Sequence, residues 1–380
     1  MTRIVVDART VTAKKSGIGN YTESLLRHLV PLADDMDFLL LRQRQDREPV
    51  VGHPRARELG VAGETKSIHT FWIGHAHRFD SFDLFHGPSD IIPWGVRCPW
   101  VVTVHDMTWI ERPHLHSRLL PVRAVLGAWY RLEYGHAIRG AERVITVSRA
   151  SADAITRVFP EAASKIRVTH LAVDRSRYAP DRAGPRETIA SLVPVGLRYS
   201  VIVGLGSPYK NHDGMIRAFV EATRDDPDHK LVVVRRGTRS DPEMQKLLDR
   251  TDVKSKVIAV PFVSDAELLA LYRHAVALLF ASHVEGFGLP VLEAMAMDLP
   301  VLISTDPALQ EVAAGAALSS ASTDHEDLVA KMRMLSKDAD LRARLVEAGR
   351  ARINAFSWEK TARATLEVYR EAIEASKGRK

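Results

Sequence analysis

"VALLFASHVEGFGLPVLEAMA", residues 276–296, runs from an apolar, strand-like stretch through a glycine loop into a helix-forming segment. The strand reading ends near Ser282. Gly286 and Gly288 then let the chain turn sharply, and Pro290 suits a first helical turn, where its missing N–H would have had no intrahelical partner. One such strand–loop–helix unit is the building block of a parallel sheet.

The same unit recurs on both sides. Upstream lie "RIVVDA" (3–8), "FLLLR" (38–42), "LFHGP" (84–88), "WVVTVHD" (100–106) and "RVITVS" (143–148). A second series follows: "YSVIVGLG" (199–206), "KLVVVRR" (230–236), "KVIAVPF" (256–262), "VALLFAS" (276–282) and "PVLIS" (300–304). Near-continuous apolar strands alternating with helices imply parallel sheets covered on both faces. Two series imply two doubly wound α/β domains. Between them "YAPDRAGPRETIASLVPVG" (178–196), with Pro180, Pro185 and Pro194, reads as a linker. The expected division is therefore residues 1–177, a linker at 178–196, and residues 197–355. A helix over 356–380 is expected to pack back on the first domain. The default ligand site is a central cleft between the domains, beyond the carboxyl ends of the strands.

Composition agrees with a folded chain of this size. The 380 residues, 46% apolar and 26% charged, are ordinary for a globular protein of about two domains. A net charge of +6 favours anionic partners such as phosphates, nucleotides or acidic lipid. Nucleic acid is not expected, because no basic stretch is interleaved with aromatics. The single cysteine, Cys98, excludes a disulfide framework and a cysteine-rich metal site. With no signal-peptide pattern at "MTRIVVDART" and no apolar run of roughly 18 residues, a cytoplasmic protein is expected.

Glu285 and Glu293 flank the glycine loop. A helix N-terminus after that loop offers backbone N–H groups and a positive dipole end, which suit a phosphate. Glu293 reads as a first-turn residue. A nucleotide diphosphate bound there would leave one carboxylate for ribose hydroxyls and the other for whatever the phosphate carries. The other reading, a capped helix whose glutamates favour its N-terminus, stays open on these residues alone. Lys210, in the loop after "YSVIVGLG", reads as a site lysine or a solvated one. His105, at the end of "WVVTVHD", reads as a site group or a structural histidine. Ser148 is most simply a helix N-cap.

"EGFGLPVLEAMAMDLPV" resembles the paired-glutamate signature of the retaining, GT-B-fold glycosyltransferases of family 4, the group 1 glycosyltransferases. The resemblance continues through "SGIGNYTESLLRHL", "HGPSDIIP", "VVTVHDMTWIERP", "RVITVSRASADAI", "KIRVTHLAVDRSRYAP", "VGLGSPYKNHDGMIRAF" and "FSWEKTA", in order along the chain. It implies two Rossmann-like domains facing a cleft. It places Glu285 against the donor sugar and Glu293 on the ribose. The loop glycines Gly17, Gly19 and Gly206 and the residues Gly286, Phe287, Gly288 and Leu289 would line the donor. Lys210 would neutralise the diphosphate and His105 would orient the hexose. No cofactor and no metal is implied. "DDMD" (34–37) and "DDPD" (225–228) read as turns.

The chain departs from the family pattern near the diphosphate. Where the family often carries an arginine before the lysine or beside it, Leu205 and Tyr209 stand. The charge then falls on Lys210 and the helix dipole, or on an arginine elsewhere, such as Arg235 or Arg149. Asp298, Arg235 and Val263 replace frequent glycines. The resemblance is strongest to the mannosyltransferase-like branch of surface polysaccharide biosynthesis. It implies a nucleotide diphospho-sugar donor, GDP-mannose before a UDP-hexose, and a saccharide acceptor carried on polyprenyl diphosphate. A nucleotide-sugar epimerase on the same fold is the rival reading. The segment 118–140, mixing Arg118, Arg123, Arg131 and Arg139 with Leu119, Leu120, Val125, Leu126, Trp129 and Tyr130, reads either as an interfacial helix on an anionic inner-membrane face or as a core-packed helix.

Overall fold

The computed structural model describes residues 1–12, 16–46, 48–65, 67, 70–116, 120–236 and 242–378. The chain divides into two compact units. One holds Met1–His114, Arg118–Leu171 and Phe356–Lys380, and the other Leu115–Ser117 and Ala172–Ala355.

In chain order, the first unit contains β1 (Thr2–Asp7), β2 (Met36–Gln43), β3 (Ala56–Val61), β4 (Leu84–Gly87), β5 (Trp100–Val104), β6 (Arg143–Thr146) and β7 (Ile166–Val168). They form one sheet in the order β3-β2-β1-β4-β5-β6-β7, every pairing parallel. The second unit contains β8 (Arg198–Leu205), β9 (His229–Arg236), β10 (Val257–Val260), β11 (Leu278–Phe280), β12 (Val301–Ser304) and β13 (Leu318–Ser320). Its parallel sheet runs β10-β9-β8-β11-β12-β13. Each strand expected from the sequence is present. The additional strands β3, β7 and β13 are sheet edges, and an edge strand needs no continuous apolar run because it is not covered on all sides.

Each order reverses direction once, between β1 and β4 in the first sheet and between β8 and β11 in the second. At such a switch point the loops leaving the two central strands diverge to opposite faces and open a crevice at the strand ends. The loops at the second switch point carry Lys210, after β8, and Glu285, after β11.

The last helix, Trp358–Lys377, belongs to the first unit and is bound by its buried face. Glu371 accepts from Arg143 at 2.9 Å and from Arg167 at 2.8 Å, and Thr361 donates to the His170 carbonyl at 2.7 Å. Tyr369, fully buried, hydrogen bonds to His86 Nδ1 at 2.7 Å. Residues 178–196 pack with the second unit: Ile189 and Val193 are buried, and Arg186 donates to the carbonyls of Val193 and Pro194.

The helix Leu120–Gly140 divides along its length. Tyr130, Tyr134, Ala137 and Ile138 are buried, while Leu120, Val125 and Leu132 are 68%, 68% and 54% exposed. Arg118 and Leu119 lie outside the described residues. Among those described, no helix is long and apolar enough to cross a membrane.

The Tyr369–His86 bond is closed off from water, so its loss leaves an imidazole nitrogen with neither water nor partner. Tyr369→Phe is expected to destabilise the protein by about 1–3 kcal/mol, read as a lowered midpoint in thermal or urea unfolding. An unchanged midpoint would mean that this bond does not anchor the terminal helix.

Candidate active site

In the second unit the expected residues converge on the two loops of the switch point. Lys210 closes the short turn Pro208–Lys210 after β8. Asn211 follows in the left-handed region at φ 53° and spans to the neighbouring loops, its Nδ2 donating to the Ala281 carbonyl at 3.0 Å and to the Ser322 carbonyl at 2.8 Å. Asparagine tolerates this conformation better than most residues. The His283 N–H donates to the Tyr209 carbonyl at 2.8 Å, tying the β11 loop to the β8 loop.

Held this way, Lys210 Nζ lies 2.6 Å from Glu285 Oε1, with the two side chains only 13% and 9% exposed. The ammonium also stands 5.0 Å from the centre of the Phe280 ring and 5.1 Å from that of Tyr209, within cation–π range. An ion pair so shielded gains little net stability, because desolvating both charges offsets their attraction. The Lys210 ammonium is nonetheless already stripped of much of its water.

Asp306 stands behind Glu285. It ends the β12 loop and caps the helix Pro307–Ala313, accepting from the N–H groups of Ala308 at 3.0 Å and Leu309 at 3.3 Å. The Glu285 backbone lies beside its carboxyl. Burial first, and the Glu285 charge after it, push its carboxyl up to about 6.

Gly288 precedes the helix Leu289–Ala296 with φ +101°, and a Cβ there would come within 2.5 Å of Leu309 Cδ2. Conformation and space both require glycine at this position. Phe287 is buried, and Gly286 lies in the loop beside Glu285. Pro290 has no N–H and Val291 donates to the Gly288 carbonyl at 2.9 Å, so Leu289 is the first-turn amide left to face a ligand. The first turn contains no acidic residue. This corrects the expected place of Glu293, which lies in the second turn because the helix begins at Leu289, after the glycine. Its Oε2 accepts from the Tyr272 hydroxyl at 3.2 Å, and Tyr178 lies close to it. Burial and the Glu293 charge raise both phenols, so they remain protonated donors.

Gly206 opens the loop after β8, its carbonyl accepting from Arg235 Nη2 at 2.8 Å. Asp298 occupies the left-handed position after the helix, φ 60°, and is clamped by Arg350 at 2.6 and 2.7 Å, a terminus contact away from the loops.

In the first unit, Ser16 caps the helix Gly17–Leu32 by accepting the Gly19 N–H at 3.0 Å. A Cβ at Gly19 would stand 2.5 Å from the Thr10 carbonyl oxygen, whereas Gly17 has open space around it. Residues 13–15 of this loop lie outside the described set. His105 directly follows β5. Its N–H donates to Asp90 Oδ1 at 2.8 Å and its Nε2 meets the Pro88 carbonyl at 3.0 Å. A carbonyl only accepts, so Nε2 carries a proton and, in the neutral ring, Nδ1 is the acceptor. The Tyr21 ring packs edge-on against the imidazole with centroids 4.9 Å apart. A buried chain continues from the Tyr21 hydroxyl to Thr103 Oγ1 at 3.1 Å, to His86 Nε2 at 2.8 Å, and on to Tyr369. Burial foremost, then His105, pushes His86 down to about 3, so it stays neutral. Ser148 caps the helix Arg149–Val158, and the Ser151 hydroxyl donates to the His105 carbonyl at 3.0 Å.

The sequence reading passed over Asn211, Asp306, Asp90, Tyr178 and Tyr272. Asn211 and Asp306 left local signals, an asparagine before a helix and an aspartate before a proline at a helix start. Asp90 and the tyrosines left none, since their partners come from distant strands and helices. Three aspartates of "DDMD" and "DDPD" meet arginines: Asp34 with Arg55, Asp35 with Arg370 and Asp226 with Arg198.

Two family profiles match the chain, "Glycosyltransferase Family 4" over residues 15–177 and "Glycosyl transferases group 1" over residues 187–352. The sequence is 28% identical over 292 residues to the O-antigen chain mannosyltransferase B of Escherichia coli, spanning 76% of this chain and 74% of that protein. It is 28% identical over 300 residues to a D-inositol 3-phosphate glycosyltransferase of Saccharomonospora viridis, spanning 75% and 67%. Among solved structures, the sucrose-phosphate synthase of Thermosynechococcus elongatus superposes with a TM-score of 0.77 at 20% identity, over 97% of this chain and 98% of that one.

The raised carboxyl of Asp306 has a signed consequence. A carboxyl lifted from 3.8 to about 6 takes up its proton earlier in the folded state, so its share of stability grows as pH falls through 6 and is lost as pH rises. Asp306→Asn removes that dependence. The stability of the wild type relative to the variant is expected to be larger at pH 5 than at pH 7 by about 1 kcal/mol, measured by thermal unfolding at both pH values. A difference constant across this window would mean that Asp306 is not raised.

Proposed function

Because the chain belongs to the group 1, family 4 glycosyltransferases and has the two parallel-sheet domains of their fold, we propose that it transfers a hexose, with retention, from a nucleotide diphospho-sugar to a saccharide. Mannose from GDP-mannose is the favoured donor. The acceptor is a lipid-linked saccharide of surface polysaccharide biosynthesis. The mannosyltransferase relative supports the choice of sugar. The observation that carries the reading is the shielded Lys210–Glu285 pair at the switch point, an ammonium and a carboxylate 2.6 Å apart beside a glycine-opened helix start.

Lys210 takes the diphosphate, assisted by the Leu289 amide and the positive end of the helix Leu289–Ala296. The backbone at Gly206, Gly286, Phe287 and Gly288 lines the donor. Glu293, presented by Tyr178 and Tyr272, accepts from the ribose hydroxyls. An ionised carboxylate accepts about four hydrogen bonds. Glu285 accepts from sugar hydroxyls.

As the bond from the anomeric carbon to the diphosphate oxygen lengthens, negative charge grows on the leaving oxygen and Lys210 stabilises it. The acceptor hydroxyl then attacks the same face. Double displacement would need a free carboxylate as nucleophile. Glu285 is held by Lys210, which lowers its nucleophilicity and favours same-face return. No metal ion is required by this assignment. The lipid carrier would be met by the exposed apolar residues of the helix Leu120–Gly140 together with Arg123 and Arg131.

Two outcomes test the reading. Across a panel of nucleotide sugars with EDTA present, GDP-mannose is expected to raise the melting temperature most; a ligand at 100 times its Kd adds about 2.7 kcal/mol. A larger shift with a UDP-hexose would transfer the donor assignment, and no shift with any donor would sink the proposal. In turnover assays Lys210→Ala should lower kcat by roughly two orders of magnitude, the loss on removing one preorganised donor to a developing charge. Because it strands Glu285, the variant must be shown folded by circular dichroism. A near-normal rate in the folded variant would move the leaving-group charge elsewhere.

A further inference from the structure

The donor reading leaves one charge short. A diphosphate diester carries two negative charges, Lys210 is already engaged by Glu285, and the β8 loop has Leu205, 51% exposed, and Tyr209 where a second cation is expected.

The neighbouring strand places a cation at the same spot. Arg235 lies on β9, paired in register with Gly204 on β8. Its guanidinium crosses the β8 loop at Gly206, with Nη2 donating to that carbonyl at 2.8 Å. A Cβ at Gly206 would stand 2.3 Å from Arg235 Nε and 2.6 Å from Cζ, so the arginine occupies space that only glycine leaves open. Lys210 approaches the same loop, its Cδ 3.9 Å from where a Gly204 Cβ would be. Buried His212 feels both cations, which add to burial in lowering its imidazole. Arg149 begins a helix in the other unit and is exposed.

We propose that Arg235 supplies the second positive charge for the donor's diphosphate, reaching it from β9 across Gly206 in place of an arginine in the β8 loop. This rests on the reading that the β8 and β11 loops bind a nucleoside diphospho-sugar. The planar guanidinium carries its N–H donors in a fixed fork, and a bidentate contact with phosphate oxygens would fix the diphosphate as well as neutralise it. A glycine at 235 would offer the ligand space; the arginine offers charge.

Calorimetric titration of the wild type, Arg235→Gln and Arg235→Lys with GMP and GDP, and with UMP and UDP, tests the assignment. For the nucleotide series that binds, Arg235→Gln should lose on the order of tenfold or more in diphosphate affinity, lose less in monophosphate affinity, and show a shallower dependence on salt. Arg235→Lys, which keeps the charge and loses the fork, should recover part of the loss. Equal weakening for mono- and diphosphate would make Arg235 a nucleoside or structural contact and overturn the inference, as would undiminished GDP or UDP binding in Arg235→Gln. Should that variant fail to fold, Arg235→Lys decides: affinity for the diphosphate equal to wild type overturns the inference, and a severalfold selective loss upholds it. A wild type that binds neither GDP nor UDP overturns the donor reading itself, whereas binding that is indifferent to residue 235 removes only the role of Arg235.

Discussion

An ammonium and a carboxylate held 2.6 Å apart, largely out of water, set the terms for everything around them. Such a pair stores little net stability, because the hydration both charges give up offsets their attraction. It persists because the backbone on both sides is locked. Asn211 and Gly288 take left-handed conformations, and Asn211 bridges to two carbonyls. Freed from that frame, Lys210 would sample solvent as most lysines do, and its charge would be worth far less to an anion.

The parallel topology makes this frame possible. β8 and β11 are neighbours in space although β9 and β10 intervene in the chain, so the lysine loop and the glutamate loop start from adjacent strand ends. The helices that follow diverge to opposite faces and leave the loops uncovered. The same geometry lets Arg235 reach across from β9, because adjacent parallel strands bring their carboxyl ends to one edge. Polar residues can therefore gather there without interrupting the apolar core beneath.

The first unit uses a different device. His105 is set by neutral hydrogen bonds: its backbone by Asp90, its ring by the Pro88 carbonyl and the edge of Tyr21. The chain from Tyr21 through Thr103 and His86 to Tyr369 places one end of a buried network on the terminal helix. Buried networks of this kind are stabilising only when each member is satisfied. The ring orientation of His105 thus depends on residues from β4, β5 and the end of the chain.

By itself the sequence determined the doubly wound pattern, since apolar runs of strand length alternating with helical stretches bury well only as covered parallel sheets. It also marked the glycine loop and the two glutamates, because glycine and proline act locally on the backbone. The edge strands β3, β7 and β13 escaped it, lacking the apolar run that central strands require. Only the tertiary structure decided that Glu293 lies in the second turn and faces two tyrosines, that Lys210 is paired with Glu285, and that Arg235 lies over Gly206. Those facts depend on contacts between residues up to 115 positions apart in the chain, as Tyr178 and Glu293 are. Electrostatic pairing depends on distance in space, which no local pattern encodes.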